Sequence, residues 1–418
     1  MMATTPLHRR TLLTVLAGAG LATVAGCGPE RTATAQPAVA VPDPLLAEVD
    51  GGVAVLRGAD RRTVPNALAT ADGSALWATT TAGTDTTLTR IDTGTGRRSA
   101  PITLAGRWLP QAVSTDGTTV ALTPDARAAT DRPAGRTASP VLVVDATGIR
   151  HRLRLAGNHV PEAFSADQTG LFVLEWLPAA APDRYRVRVV DLATGTPGPL
   201  STRNKTPVPP GAEEEMRGDG RHAVLAPDRR VLYTLYTHQA DHRHTRDLVS
   251  GRPGNVHAFV HTLNLAERWA YCVDLPHPFG AAAAAGHTMA LTPDGTRLLV
   301  AEVTSGALAE ISTEELAVRR TATLAPGPTA TGYAVAGRDR LFVGAGPTVR
   351  VVDLATLRPV GAWPLPQPAT GLVLSPDGRR LHVGQAAAVS WHDTTSGGEL
   401  GRAPVPGLVG LAGLAAPA

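Results

Sequence analysis

LTPDGTRLLVAE, residues 291–302, and LSPDGRRLHVGQ, residues 374–385, are two copies of one unit. Each reads as a short apolar strand, an Asp-Gly turn and a second apolar strand. Asp-Gly suits a tight hairpin, because the turn needs positive φ angles that glycine adopts without steric penalty. Five further turns fit the same place: Asp72-Gly73, Asp116-Gly117, Asp167-Gln168, Asp228-Arg229 and Arg338-Asp339. The Asp-Gly pair itself is lost in the copies at 167, 228 and 339.

A second unit follows each of these. It is clearest in TLTRIDTGTGRR (87–98), RVRVVDLATGTPG (186–198) and TVRVVDLATLRPV (348–360). Here a strand ends in Asp, a Thr-Gly or similar turn follows, and another strand begins. The seven first-type turns recur at intervals of 38 to 66 residues, so each period holds four strands. Four short antiparallel strands per period is the pattern of a β-propeller blade. A single twisted sheet cannot bury both faces alone; radial stacking covers the faces and closing the ring removes the edges. The expectation is therefore an all-β propeller of seven blades, with eight as the alternative count and a β-sandwich as the plainer alternative fold. An eighth second-type unit can occupy VAVLRGADRRTV (53–64), and GLVGLAGLAAP (407–417) can supply an inner strand. Such rings often close by pairing strands from the two chain ends in one blade.

These units resemble the repeats of YVTN-type and WD40-like bacterial propellers over about residues 50–405. The Gly-His and Trp-Asp dipeptides of the eukaryotic WD40 scaffolds are absent. That departure puts membership of the eukaryotic class in doubt.

Composition agrees with a folded, strand-rich body. Of 418 residues, 43% are hydrophobic, 18% charged and 4% aromatic, with 43 glycines and 35 prolines. That is too apolar for a disordered chain and too rich in glycine and proline for a helical bundle or coiled coil. The core must be built from Val, Leu, Ala and Thr. The net charge of +3 falls to +1 once Arg9 and Arg10 leave with the leader described next. Lys205 is the sole lysine, and no basic cluster follows the leader, so nucleic acid is not an expected partner. The preference for Arg over Lys reflects a GC-rich genome.

The first 26 residues have the layout of a secretory signal peptide: a polar start ending in Arg9-Arg10, then the uncharged run TLLTVLAGAGLATVAG (11–26). The run is too short and too rich in Gly, Ala and Thr for a good membrane span. The residues Val24-Ala25-Gly26-Cys27 resemble a bacterial lipobox, and the leader as a whole resembles that of an actinobacterial-like lipoprotein. The resemblance implies cleavage before Cys27, thioether lipidation of that residue and an extracytoplasmic, membrane-anchored protein; two or more acyl chains anchor stably. His8-Arg9-Arg10-Thr11-Leu12-Leu13 is similar to a twin-arginine signal, which implies export in the folded state; ordinary export also tolerates paired arginines. Residues 28–44, GPERTATAQPAVAVPDP, read as a coil tether that reaches roughly 20–25 Å. The chain thus divides into a leader (1–26), a lipidated Cys27 with its tether (27–44) and a propeller (45–418).

Strand direction alternates within a blade, so the turns between strands 1–2 and 3–4 share one face of the disc. The long connections, 123–139, 178–184, 201–221, 238–255 and 276–287, all belong to the other face, on blades 2 to 4. Long loops in a compact domain usually carry function. That face is where a small-molecule ligand or an envelope protein is expected.

Several residues there could do chemistry. THQADHRHTRD brings together His238, Asp241, His242 and His244, residue types that bind zinc or copper. Their spacing matches no metal motif, Arg243 and Arg246 flank them, and a solvated polar loop is the competing reading. Neither a metal nor another cofactor is expected. WAYCVDLPHPF (269–279) concentrates scarce aromatics. Alternation puts Trp269, Tyr271 and Val273 on one side and Cys272 on the other, as core packing or as an aromatic platform. Cys272 reads as a buried, inert thiol, and Glu213 to Glu215 as a solvated run. Arg217-Gly218-Asp219 is too short to carry weight. The common hydrolase, zinc-protease, P-loop and dinucleotide motifs are absent. The functional expectation is a ligand- or protein-binding module at the cell envelope. The alternative is a propeller enzyme, lactonase-like or redox, with groups converging on the central channel.

Overall fold

A computed structural model of the chain describes residues 39–124, 132–209, 211–217, 220–254 and 256–417. The leader with Arg9 and Arg10, the acceptor Cys27, tether residues 28–38, and Gly218 and Asp219 of the tripeptide lie outside the described residues.

The repeated turn is held by its own side chains. In five copies a Ser or Thr hydroxyl donates to the Asp two residues on: Thr70 to Asp72 at 2.7 Å, Ser114 to Asp116 at 2.6 Å, Ser165 to Asp167 at 2.5 Å, Thr292 to Asp294 at 2.5 Å and Ser375 to Asp377 at 2.6 Å. The same carboxylates accept the backbone N–H of Ser74, Thr118, Thr169, Thr296 and Arg379. The residue after the Asp lies in the left-handed region, at φ 67° to 76° in Gly73, Gly117, Gly295 and Gly378. Where glycine is lost, Gln168 and Arg229 hold the same conformation at φ 56° and 61°. The turn is therefore kept in these two copies, whereas Arg338-Asp339 forms a bend with no residue at positive φ.

The hairpins assemble into eight sheets of antiparallel strands. Seven follow the chain outward from the axis: blades 1 to 7 span 67–105, 109–156, 158–198, 220–274, 287–323, 332–364 and 371–404. In blade 8, Leu408–Leu414 is innermost, followed outward by Val41–Val49, Gly52–Gly58 and Asp60–Val64. The expected count of seven is thus corrected to eight, the alternative. Counting turns between first and second strands misses blade 8, because its first two strands are the two ends of the chain and no turn joins them.

The tether boundary also moves. Residues 41–44, expected in the tether, begin the strand Val41–Val49. Pro42 and Pro44 are tolerated because they sit where the pairing shifts register, between Val41↔Gly58 and Leu45↔Leu56. Blade 4 gains a short parallel strand, Ser201–Thr202, against its outer edge Trp269–Asp274.

Each pair of neighbouring blades has its own apolar cluster, so the core is a ring of eight interfaces. Leucines fully buried in them, such as Leu88, Leu171, Leu298 and Leu381, each contribute roughly 1.5–3 kcal/mol. The interface between blades 3 and 4 divides into two clusters. One is aromatic, with Trp176, Tyr185, Tyr236 and Phe259 beside Met216 and Cys272. The other joins Phe172, Leu200, Leu263 and Leu265. Between the inner strands of the same two blades, Arg221 and Glu162 form a buried ion pair. Strand order places the long connections of blades 2 to 4 together on one face of the disc.

Candidate functional site

The site begins with alternation along the strand Arg184–Asp191 of blade 3. Period 2 turns Arg184, Arg186 and Arg188 to one side. Arg186 donates from Nε to Glu175 at 2.7 Å and from Nη1 to Glu213 at 2.8 Å. Arg188 forks onto Glu213 at 2.9 and 3.0 Å, and Arg184 Nε bonds Glu215 at 2.6 Å. Backbone bonds between Met216 and Tyr185, at 2.8 and 3.1 Å, extend the pairing. The link between blades 3 and 4 is thereby pinned to blade 3 at residues 213, 215 and 216, and the intervening Glu214 points to blade 4.

There Glu214 meets three elements. Its Oε1 accepts the N–H of Thr245, at the start of the helix Thr245–Ser250, at 2.8 Å. Its Oε2 lies 3.0 Å from Cys272 Sγ, on the outer strand of blade 4, and 3.3 Å from His244 Nδ1. His242 Nε2 is 3.5 Å from the same oxygen. The other nitrogen of His244, Nε2, lies 2.5 Å from Asp274 Oδ1, and Arg246 Nη2 lies 2.5 Å from Asp274 Oδ2. Because an ionised carboxylate only accepts, Asp274 fixes a proton of His244 on Nε2, and Nδ1 is the nitrogen that faces Glu214. His261, the cross-strand partner of Cys272, is buried beside them.

The electrostatics follow from burial and these contacts. Burial alone would raise Glu214, but His242 and His244 outweigh it and hold the carboxyl well below its usual range. Burial pulls His244 down, yet hydrogen bonds to Asp274 and Glu214 prevail and raise it to about 9. His261 has no such partner and burial lowers it to about 4. Burial, reinforced by the Glu214 charge, pushes the Cys272 thiol well up, so Sγ–H donates to Glu214. A partly buried anion among imidazoles and a thiol is an arrangement able to bind a cation or a hydrogen-bonding ligand.

The group opens onto a cleft of about 820 Å³ between blades 3 and 4. Its walls come from residues 200–204 and 206–209, from the helix Thr245–Ser250 and from the strand Trp269–Asp274, with Glu213, Glu214 and Met216 behind. The cleft lies on outer strands, away from the inner strands that line the axis.

The structure separates the four expected metal-binding candidates. His242 and His244 are buried at Glu214, whereas His238 and Asp241 are exposed, each at positive φ. His238 instead approaches Thr237 Oγ1 at 2.9 Å. Arg246 is paired with Asp274, and Arg243 is exposed. Glu214 is not part of a solvated run, because flanking arginines hold its neighbours and turn it inward. The alternation expected of residues 269–273 holds. Trp269, Tyr271 and Val273 pack toward blade 5, and Cys272 packs toward blade 3. The sequence reading missed the meeting of Glu214 with Cys272, 58 residues away. The signal that could have found it is charge complementarity between alternating Arg184, Arg186, Arg188 and the run Glu213 to Glu215.

No protein-family model matches the chain, and no curated protein sequence matches it. Solved structures do. The fold is similar to that of apo AztD from Citrobacter koseri, with a TM-score of 0.52 and 12% identity, over 87% of this chain and 95% of that one. It is also similar to the dihydro-heme d1 dehydrogenase NirN in complex with DHE, with a TM-score of 0.51 and 13% identity, over 92% of this chain and 78% of that one. At such identities the likeness concerns the propeller fold.

Proposed function

We propose that this chain is a binding module of the bacterial cell envelope, anchored through a lipidated Cys27 outside the cytoplasmic membrane. Its ligand enters the cleft between blades 3 and 4. The observation that carries this reading is the cleft itself, on the face of the long loops, with the partly buried carboxylate of Glu214 at its base. Loops grown on one face of a rigid scaffold are a usual place for recognition, and a roomy concave site with a few convergent polar groups is the default ligand site. The lipobox-like Val24-Ala25-Gly26-Cys27 and the leader before it support the anchor.

A propeller enzyme is the second reading. The shifted pKa values of His244, His261 and Cys272 favour it, since such shifts gather at reactive sites. A similar fold, NirN, is named a dehydrogenase, and fold alone does not carry activity across. Binding is preferred because the titratable group stands on the link, at the start of the helix and on the outer strand of blade 4, whereas Glu162 and Arg221 on the inner strands are consumed in a mutual pair.

Thermal denaturation of the full chain against divalent cations, monosaccharides, amino acids and short peptides tests the reading. At least one class should raise the midpoint. Thr202→Trp, which fills the cleft, should abolish that rise, and Arg338→Trp on the tight-turn face should not. A rise that ignores Thr202→Trp, or no rise from any class, overturns it.

A further inference from the structure

Among the described residues, one group of three metal-ligating side chains converges. Donor atoms of Glu214, His244 and Cys272 all lie within 4.8 Å of one another. We propose that these three residues bind a single thiophilic divalent d-block cation, of the zinc type, at the base of the blade 3–4 cleft. This deepens the cleft reading and rests on it.

The donor spacing suits such an ion. Bonds of ~2.0–2.3 Å around a tetrahedral centre put neighbouring donors about 3.3–3.8 Å apart. Cys272 Sγ and His244 Nδ1 stand 3.0 and 3.3 Å from Glu214 Oε2, so small side-chain adjustments open the space for an ion. The donor set is mixed sulfur, nitrogen and oxygen, which selects a borderline cation over calcium or magnesium. Binding displaces one proton from the Cys272 thiol and one from Nδ1 of His244, both leave to solvent, and the sulfur then ligates as thiolate beside the freed imidazole nitrogen.

A second feature points the same way. His242 Nε2 is buried, has no hydrogen-bond partner and aims at the group, 3.5 Å from Glu214 Oε2. Its ring is stacked on Phe259 at 4.5 Å and is only 6% exposed. A buried polar nitrogen without a partner is unfavourable, and a water or ligand on the open position of an ion held by Glu214, His244 and Cys272 would supply what it lacks. Asp274 completes the design. It orients His244 through Nε2, as outer carboxylates do for metal-ligating histidines. Arg246 would oppose a cation if free, but it is paired with Asp274. Three protein donors leave one position open toward the cleft. That arrangement belongs to ions that meet a water or ligand, rather than to closed structural sites.

Cobalt(II) and zinc(II) titrations of the chelator-stripped full chain provide the test. Cobalt should bind at one equivalent with a thiolate-to-metal absorption band, and zinc should displace it. Cys272→Ser should lose the band, and Glu214→Gln should weaken zinc binding by more than about 100-fold. Asp274→Asn, acting through His244, should weaken it by about 10–100-fold. Should the variants misfold, the wild-type chain decides: one equivalent of zinc should protect Cys272 from alkylation. Cobalt uptake without a thiolate band, or zinc that leaves alkylation unchanged, overturns the ion site. If the ion site fails but an organic compound still responds to Thr202→Trp, the cleft reading stands without its metal.

Discussion

Asp43 Oδ2 accepts a hydrogen bond from His382 Nε2 at 2.8 Å, across 339 residues of chain. Arg380 forks onto the same carboxylate at 2.9 and 3.0 Å. Asp43 lies in the second strand of blade 8, and the other two lie in blade 7. Burial would raise the Asp43 carboxyl, but these hydrogen bonds prevail and lower it. The contact locks the N-terminal strand into the ring. Removing one partner of a buried charged group strands the other. Arg380 is partly exposed, so the effect is discounted for solvent screening. Asp43→Ala should cost about 1–3 kcal/mol in urea denaturation. A chain beginning at Leu45 should lose as much or more, while one beginning at Val39 should keep the wild-type midpoint. Indistinguishable midpoints for all three would show that closure does not depend on this clamp.

Gln168 is held at φ 56° where other blades use glycine. Its side chain repays the strain by reaching blade 2, donating to Asp116 at 2.7 Å and accepting from Thr119 at 2.6 Å. Two truncations separate strain from bridging. Gln168→Ala loses the bridge and keeps the left-handed strain; Gln168→Gly loses the bridge and relieves it. Left-handed backbone costs a non-glycine residue about 1–2 kcal/mol, partly offset by the greater unfolded entropy of glycine. The glycine variant should therefore be more stable than the alanine variant by about 1 kcal/mol. Equal stabilities in chemical denaturation would mean that this turn carries no strain.

The acid limb of stability should be steep. Burial raises the Asp72 carboxyl, but hydrogen bonds from Thr70 and Ser74 outweigh it and set the pKa at about 2. Asp167 reaches about 2 in the same way, through Ser165 and Thr169. A carboxyl lowered on folding contributes stability that is present above its unfolded value of ~3.9. That contribution is lost as pH falls through the folded value of about 2. The urea midpoint should therefore drop between pH 4 and 2, and Asp72→Asn with Asp167→Asn should flatten the drop. Parallel curves for variant and wild type would place the acid sensitivity elsewhere.

Local pattern made most of the architecture legible. The hydroxyl two residues before Asp in five of the turns, the turn residue after it and the alternation of Trp269, Tyr271 and Val273 are short-range features, and the strands obey them. What escaped depends on contacts between distant segments. The closing blade was legible in part: the unit at 53–64 and the inner strand at 407–417 fall in blade 8, but the start of its strand Val41–Val49 reads as tether, and no turn joins that strand to Leu408–Leu414, so the count stops at seven. Pro42 and Pro44 looked like coil because proline signals its missing N–H, not the register shift that excuses it. At the site, His242 and His244 were visible as residue types. Their depth was not, since it arises from a link folding back along blade 3 and a helix laid over blade 4. The same link explains why three consecutive glutamates have different surroundings.

That link offers a way to examine the site without knowing its ligand. Glu213 receives Arg186 and Arg188, and the four residues 213–216 screen Cys272, which is 4% exposed. Glu213→Ala removes those bonds while Arg186 keeps Glu175, so the blade itself should persist and global denaturation should shift little. Local opening of the link, however, should become easier by about 1–2 kcal/mol, the scale of charged hydrogen bonds. When opening is faster than labelling, alkylation follows the open population, and 1.4 kcal/mol corresponds to a factor of ten. Cys272 in Glu213→Ala should therefore be alkylated roughly tenfold faster than in the wild type under native conditions. Glu213→Asp, which keeps the charge on a shorter stem, should fall between them. An unchanged alkylation rate would mean that the arginines of blade 3 do not hold the link over the thiol, and that Glu214 takes its position from the Thr245–Ser250 helix alone.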